Sequence, residues 1–235
     1  MTFAEKILAF NDSLDLDPKL LPEGITLMNP FRGEYADTIK EVTTRFYWRY
    51  YSDNKPRHLI LGINPGRFGA GVTGVPFTDT KRMRDICGIE IGIAPTHEPS
   101  SVFVYKVVDA FGGPERFYRR FYINSVCPLG FTRHNNNRNE VNYNFYDDRT
   151  LQEAVTPFIS DCIEKQIAFG ARTNLCFCMG SGKNFKYLTA LNSKKEWFDH
   201  IVPLDHPRFV VQYRSKRMDE YVQKYVDALT MTGES

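Results

Sequence analysis

His58-Leu-Ile-Leu-Gly-Ile-Asn-Pro-Gly-Arg-Phe-Gly-Ala-Gly-Val-Thr-Gly-Val-Pro-Phe77 is the stretch on which the reading of this chain turns. Its apolar run, Leu59 to Ile63, reads as a short buried strand. The run stops abruptly among Gly62, Pro65, Gly66, Gly69, Gly71 and Gly74, which suit a folded-back loop better than regular structure. In an open parallel sheet, ligands settle outside the carboxyl ends of the strands, where a glycine-rich loop offers backbone N–H groups with few side chains in the way. Asn64, at the strand's end, is therefore the first candidate functional residue.

Working outward, further strands are predicted at Phe121 to Val126, ended by Pro128, at Leu175 to Met179, and at Ile201 to Leu204, ended by Asp205-His206-Pro207. Between them lie helical patterns. Phe3, Ile7 and Leu8 mark a helix over 3–13, and Thr78 to Cys87 reads as a helix capped by Thr78 or Asp79. Ser101 to Phe111 reads as another, ended by Gly112-Gly113. Leu151 to Phe169 keeps helical spacing, with Pro157 either kinking it or opening it after Thr156. Gly180-Ser-Gly-Lys183 leads into a helix through Leu191, and Met218, Tyr221, Val222, Tyr225, Val226 and Leu229 form one stripe of a last helix. Pro18 to Pro30 reads as an irregular connection, and the tract from His134 to Asn144, rich in asparagine, as a long surface loop. The aromatic cluster Phe46, Tyr47, Trp48, Tyr50 and Tyr51 reads as core or a loop clamp. Strands alternating with helices predict an α/β fold: a parallel sheet of about four strands covered on both faces, in three α/β/α layers. No repeat or long linker divides it, so a single domain over residues 1–235 is expected.

Composition narrows the classes. A chain of 235 residues that is 42% apolar can bury a sizeable core. No window is long and apolar enough to cross a bilayer, and MTFAEKILAF carries Glu5 too early for a secretory signal, so a cytoplasmic protein is expected. The five cysteines at 87, 127, 162, 176 and 178 include no CxxC pair and complete no metal set, which predicts reduced, buried thiols and no metal. A net charge of +2 gives no overall argument for nucleic acid, which must come from local patches.

Three predicted strands deliver a polar group near their carboxyl ends: Asn64, Asn124 and His206. Gly62-Ile-Asn-Pro-Gly66 followed by Thr73-Gly-Val-Pro-Phe77, then Tyr122-Ile-Asn-Ser-Val-Cys-Pro-Leu129, then His206-Pro207, resemble the signature segments of the single-strand-selective monofunctional uracil-DNA glycosylases. That resemblance spans residues 57–210 in order. It implies an α/β/α sandwich around a four-stranded parallel sheet, and a monofunctional enzyme that releases uracil from DNA, leaving an abasic site, with no cofactor. Asn64 would position the attacking water and His206 would donate to uracil O2 as charge develops there. Asn124 would read the base edge, Phe77 would stack on the extruded base, and Ile63 would border it. Gly66 would leave room beside the pyrimidine ring for substituted uracils such as the hydroxymethyl form. Because an amide accepts no proton at neutral pH, the reaction must be largely dissociative, through an oxocarbenium-like sugar.

The resemblance further implies a cytoplasmic monomer acting on uracil-containing DNA, single- or double-stranded, in the bacterial nucleoid, with no membrane partner. Arg67, Lys183, Arg208, Arg214 and Lys216 are the candidate phosphate contacts, the lysine through the Gly180–Lys183 loop. Where the family continues His-Pro-Ser-Pro-Arg-Asn-Pro, this chain has His206-Pro-Arg-Phe-Val-Val-Gln-Tyr-Arg214, so the element that inserts into the helix is changed, a variant that a bacterial offshoot shares. Two rivals remain. A phosphate-loop enzyme is disfavoured because Asn184 stands where Ser or Thr would follow Lys183. A non-catalytic DNA-binding module that keeps the fold is disfavoured by the three intact polar residues.

Overall fold

The computed structural model describes residues 1–233. Its elements run α1 (Phe3–Ser13), β1 (Ile25–Met28), α2 (Ala36–Tyr51), β2 (Arg57–Gly62), α3 (Ala70–Thr73), α4 (Thr80–Asp85), α5 (Pro99–Ala110), α6 (Pro114–Arg120), β3 (Phe121–Ser125), β4 (Gly130–His134), β5 (Glu140–Tyr143), α7 (Arg149–Ala168), β6 (Ala171–Met179), α8 (Lys183–Lys195), β7 (His200–Leu204), α9 (Pro207–Tyr213) and α10 (Met218–Thr230).

A four-stranded parallel sheet in the order β3-β2-β6-β7 forms the centre, flanked by helices. Register pairs Gly62 with Ser125 and Met179 with Leu204, so the carboxyl ends of all four strands lie along one edge. β2 is buried along its whole length, as its unbroken apolar run requires of a central parallel strand.

Local chemistry fixes the helix ends. Thr2 and Glu5 exchange side chain-to-backbone bonds in a capping box that starts α1. Asp79, rather than Thr78, caps α4, accepting from Arg82 N at 2.9 Å, while the Thr78 hydroxyl bonds Tyr105. α7 neither breaks nor opens at Pro157 but runs through it. Proline removes the backbone donor that would serve Glu153 O, and one residue earlier the Thr156 hydroxyl donates to Gln152 O at 2.7 Å. The α2 aromatics are core: Phe46 and Tyr50 pack on Tyr118, and Tyr51 on Tyr122, while Trp48 faces solvent.

Two segments depart from the sequence reading. The stretch from Pro18 to Pro30 contains β1, and the tract 134–144 is not a free loop but half of a hairpin. β1, β4 and β5 form a second, antiparallel sheet in the order β1-β4-β5. Strands of four or five residues such as these are held by non-local pairing and leave little periodic trace. This sheet lies against the loop after β2: Met28 packs where a side chain on Gly71 or Gly130 would have to go. Among the described residues, no helix is long and apolar enough to cross a membrane. All five cysteines are free and buried, and burial pushes the Cys127 and Cys178 thiols up to about 12.

Candidate active site

β2 ends in Gly62 because nothing larger fits. A Cβ there would lie 2.8 Å from Cε2 and Cζ of Phe77, whose ring covers the strand end. Phe77 reaches that position with φ +54°, a left-handed backbone that costs a non-glycine residue about 1–3 kcal/mol and is tolerated where the surroundings enforce it. Its ring centroid is 6.1 Å from that of His206.

Asn64, half-buried, is locked from both ends of its amide. Nδ2 donates to Tyr143 O at 3.2 Å, and Oδ1 accepts from Phe145 N at 3.2 Å. These two bonds to opposite kinds of backbone group exclude the flipped amide. The hairpin missed in the sequence is thus what orients the most prominent candidate residue.

His206 stands at the N-cap of α9, where its Nδ1 accepts from Arg208 N at 3.2 Å. An accepting Nδ1 leaves the proton of the neutral ring on Nε2. Burial, and then the Arg208 charge, lower the imidazole to about 4, so it is neutral at physiological pH and presents a single N–H donor.

Asn64 and His206 line one cleft of about 480 Å³, together with Ile63, Gly66, Phe77, Lys183 and Arg208. The structure does not bring Asn124 there. Its carboxamide, 5% exposed, is engaged by the Tyr122 hydroxyl at 2.9 Å and by Ser125 N at 2.8 Å, and it lines a separate slot of about 20 Å³ with Asn11, Tyr47 and Pro128. Strand alternation is the reason: Asn124 shares a face with Tyr122, which packs on the α1 and α2 aromatics.

Several polar residues of the cleft wall escaped the sequence reading, and three of them bear on its chemistry. Asn184, in the first turn of α8, is buried; its Nδ2 donates to Met179 O at 3.0 Å and Gly62 O at 3.2 Å, tying β6 to β2, while its Oδ1 is buried without a partner. Glu98, beside Gly69, has an unpartnered Oε2. A Cβ on Gly69 would sit 2.1 Å from that oxygen, so the glycine makes room for the carboxyl. Burial, and then the charge of Asp79, raise the Glu98 carboxyl to about 7 against the lowering influence of Arg208. Asn142 binds Arg67 N through Oδ1 at 3.0 Å and lies near Gly66. The only sequence signals were the asparagine that replaces a phosphate-loop Ser or Thr and the polar tract taken for a loop.

Among the candidate phosphate contacts, Lys183 and Arg208 line the cleft. Arg67 lies outside its lining, paired with Glu140 at 2.9 Å and stacked over Phe68. Arg214 is stacked over Phe209, and Lys216 is exposed in the turn that follows. Among the described residues there is no group of three or more His, Cys, Asp or Glu that could hold a metal ion.

A sequence profile described as the uracil DNA glycosylase superfamily matches residues 48–230. The single-strand selective monofunctional uracil DNA glycosylase of Bos taurus is 31% identical over 102 residues, 36% of this chain and 38% of that protein. Its Rattus norvegicus counterpart is 31% identical over 104 residues, 37% of each. The matched segments therefore span little more than a third of these relatives. A crystal structure described as wild-type Pedobacter heparinus SMUG2 is 47% identical, covers 100% of both chains, and superposes with a TM-score of 0.96.

Proposed function

The chain belongs to the uracil DNA glycosylase superfamily, and on that footing we propose that it hydrolyses the N-glycosidic bond of uracil in DNA, leaving an abasic site and an uncut strand. The observation that carries this is the shared cleft: a fixed amide, Asn64, and a neutral imidazole, His206, face one space lined also by an aromatic ring.

The chemistry follows from what those groups can and cannot do. Neither is a strong base, so the C1′–N1 bond must loosen first, and the electron pair departs with the uracil. His206 Nε2–H donates to O2 as negative charge gathers there, a stabilisation of about 3–4 kcal/mol by comparison with oxyanion donors. A neutral ring suits this: it gives one directed hydrogen bond and lacks the acidic second proton of an imidazolium. Asn64 Oδ1, held by Phe145 N, has its second lone pair for the water that adds to C1′. Phe77 offers its ring as the stacking surface for the extruded base.

Asn124 faces another cavity, so the base-reading role passes to Asn184. Its unpartnered Oδ1 in the cleft wall would accept from uracil N3–H. Cytosine presents a lone pair at that ring nitrogen, which leaves the oxygen unpaired at a cost of about 1–3 kcal/mol. Gly66 lines the cleft without a side chain, which favours admission of uracils substituted at C5, and Asn142 Nδ2 lies 3.3 Å from where a Cβ would stand. Lys183 and Arg208 supply phosphate contacts, and the protein acts as a cytoplasmic monomer in base excision repair.

Incubating an end-labelled oligonucleotide carrying one uracil with the pure protein, followed by alkali, tests the proposal. Cleavage at the uracil is the expected result. An oligonucleotide that is bound but stays uncut at large enzyme excess rejects it in favour of a binding module.

A further inference from the structure

The parallel sheet has a second open edge. Opposite the cleft, the entries of β2, β3 and β6 lie side by side, with His58 in register with Phe121 on one flank and Arg172 on the other. Here a depression of about 870 Å³ is lined by Lys55, His58, Arg116, Arg119, Arg120 and Arg172. β2 is six residues long, so roughly 20 Å of strand lies between this depression and the cleft. Folding does not account for the crowding of charge. Arg116 stands three and four residues before Arg119 and Arg120 on α6, spacings at which like charges destabilise a helix. The single carboxylate of the lining, Glu115, lies 3.5 Å from Arg49, outside the depression. Among the described residues, Lys55, Arg116, Arg119 and Arg172 form no ion pair.

Two of the guanidiniums are nonetheless held in place. Those of Arg116 and Arg120 lie 5.7 and 5.6 Å from the centre of one buried ring, Phe111. Arg116 is folded across Gly112, where a Cβ would meet its Cδ at 2.8 Å, and Arg120 is bonded to Thr232 and Gly233. His58, 5% exposed, stands at the inner wall with Nδ1 3.1 Å from Leu175 O. Burial, and then the charges of Arg172 and Arg120, hold its imidazole below the ordinary range, so the positive field of the cluster reaches that wall. Guanidiniums braced on a ring present forks that match phosphate oxygens. A cavity of this volume falls in the range of pockets that enclose one small molecule. A single phosphate carries about two negative charges at most near neutral pH, so four cations outside ion pairs call for a chain of phosphates. We propose that this depression binds a small ligand bearing adjacent phosphate groups, of the nucleoside triphosphate class, at a site separate from the cleft. The proposal does not depend on the release of uracil.

Titration calorimetry of the full chain tests it, with sodium tripolyphosphate, dTTP and a short uracil-free duplex as separate probes. Wild type is compared with Arg116→Gln/Arg119→Gln/Arg172→Gln and with two controls. Lys19→Gln/Lys81→Gln/Lys194→Gln removes as many charges from exposed positions outside the depression, and Lys183→Gln/Arg208→Gln removes the cations of the cleft. Tripolyphosphate and dTTP should bind wild type and both controls at one site. The arginine variant should bind them roughly a hundred-fold more weakly or worse, each lost charge-assisted bond being worth about ten-fold. Arg119→Gln alone, a change at an exposed position, should give about ten-fold and covers a failure of the triple variant to fold. Absence of binding to wild type would overturn the proposal. Equal weakening in the lysine control would show diffuse attraction to net charge and overturn it as well. Loss of binding in the cleft control, with the arginine variant unaffected, would place the phosphates in the cleft instead. Duplex bound more tightly than dTTP, and lost on substitution of the arginines, would make the surface a contact for DNA backbone and overturn the small-ligand assignment.

Discussion

His206 yields a stability experiment whose size can be worked out in advance. The folded protein holds its imidazole at about 4, against an ordinary 6.5, because protonation would put a charge into the buried cleft wall beside Arg208. The unfolded chain therefore binds more protons between these two values, so stability rises with pH across that window and falls as the solution is acidified through it. Linkage gives the loss attributable to this one ring: about 2 kcal/mol on going from neutral pH to 5 and about 3 kcal/mol at 4. Other groups titrate in the same range, so the quantity to measure is a difference of differences. His206→Gln has no titrating ring, and urea unfolding of both proteins at pH 7, 5 and 4 should show the wild-type chain losing that much more than the variant. Parallel stability curves would mean that the ring titrates normally and is exposed to water, and the assignment of a permanently neutral Nε2–H donor would fall with it.

Other perturbations read different parts of the cleft. Asn64→Ala should cut single-turnover uracil release by orders of magnitude with little loss of DNA affinity, and removing its two bonds to the hairpin should cost about 1–2 kcal/mol of stability in urea titration. Asn64→Asp turns an oxygen toward the Tyr143 carbonyl and should destabilise by at least as much. Gly62→Ala puts a methyl 2.8 Å from the Phe77 ring, which must swing into the cleft, so uracil should bind more weakly in competition assays while the fold survives. Asn184→Leu removes the orphan oxygen and should lower uracil release and narrow the margin over cytosine, measured as relative kcat/KM. Glu98, raised to about 7 by burial and Asp79 and drawn down by Arg208, is uncharged below that pH and an anion above it. Its charge would oppose the developing uracil anion, so wild-type rates should fall above pH 7 and Glu98→Gln should abolish the fall.

How much of this was legible depends on where the information sits in the chain. The central sheet was readable because the apolar run from Leu59, which makes up most of β2, is stopped by glycine and proline, a local signal. That Asn64 and His206 would lie at one edge of the sheet was readable because each stands two residues past the end of a strand. Asn124 also sits near a strand's end, yet it faces the α1 and α2 aromatics through the Tyr122 hydroxyl. A strand's side chains change face at every residue, and the sequence carries no mark of which face meets the cleft. The hairpin from Gly130 to Tyr143 was illegible because its asparagines from Asn135 to Asn139 do form the turn, while the strands on either side are too short to show a pattern; the backbone that orients Asn64 is that of Tyr143, 79 residues away, and of Phe145. Asn184 and Glu98 were hidden for the same reason: what singles them out is an unpartnered oxygen, and that exists only once the chain has closed around it.

These particulars share one physical cause. The cleft sits at the carboxyl edge of the parallel sheet, and burial moves two titrating groups that line it in opposite directions, the imidazole of His206 down and the carboxyl of Glu98 up. Both shifts favour the uncharged form. Between about pH 4 and 7, then, neither of these side chains carries charge, whereas Arg208, Lys183 and Asp205 line the same cleft and Asp79, beside Glu98, is tied to Arg82. In the proposed reaction, a leaving group that becomes an anion would meet the His206 N–H donor and the Arg208 cation, with Glu98 uncharged beside it. Arg208 sustains this twice over. Its backbone N–H fixes the tautomer of His206, and its charge lowers both groups, keeping the ring unprotonated while holding the carboxyl to about 7. Arg208→Ala should therefore disturb catalysis through pH as well as through phosphate affinity. Its backbone bond to Nδ1 survives the substitution while its charge does not, so the imidazole should titrate at higher pH and the acid limb of the rate profile should move up with it. An acid limb that stays put in this variant would separate Arg208 from the chemistry and leave it a phosphate contact alone.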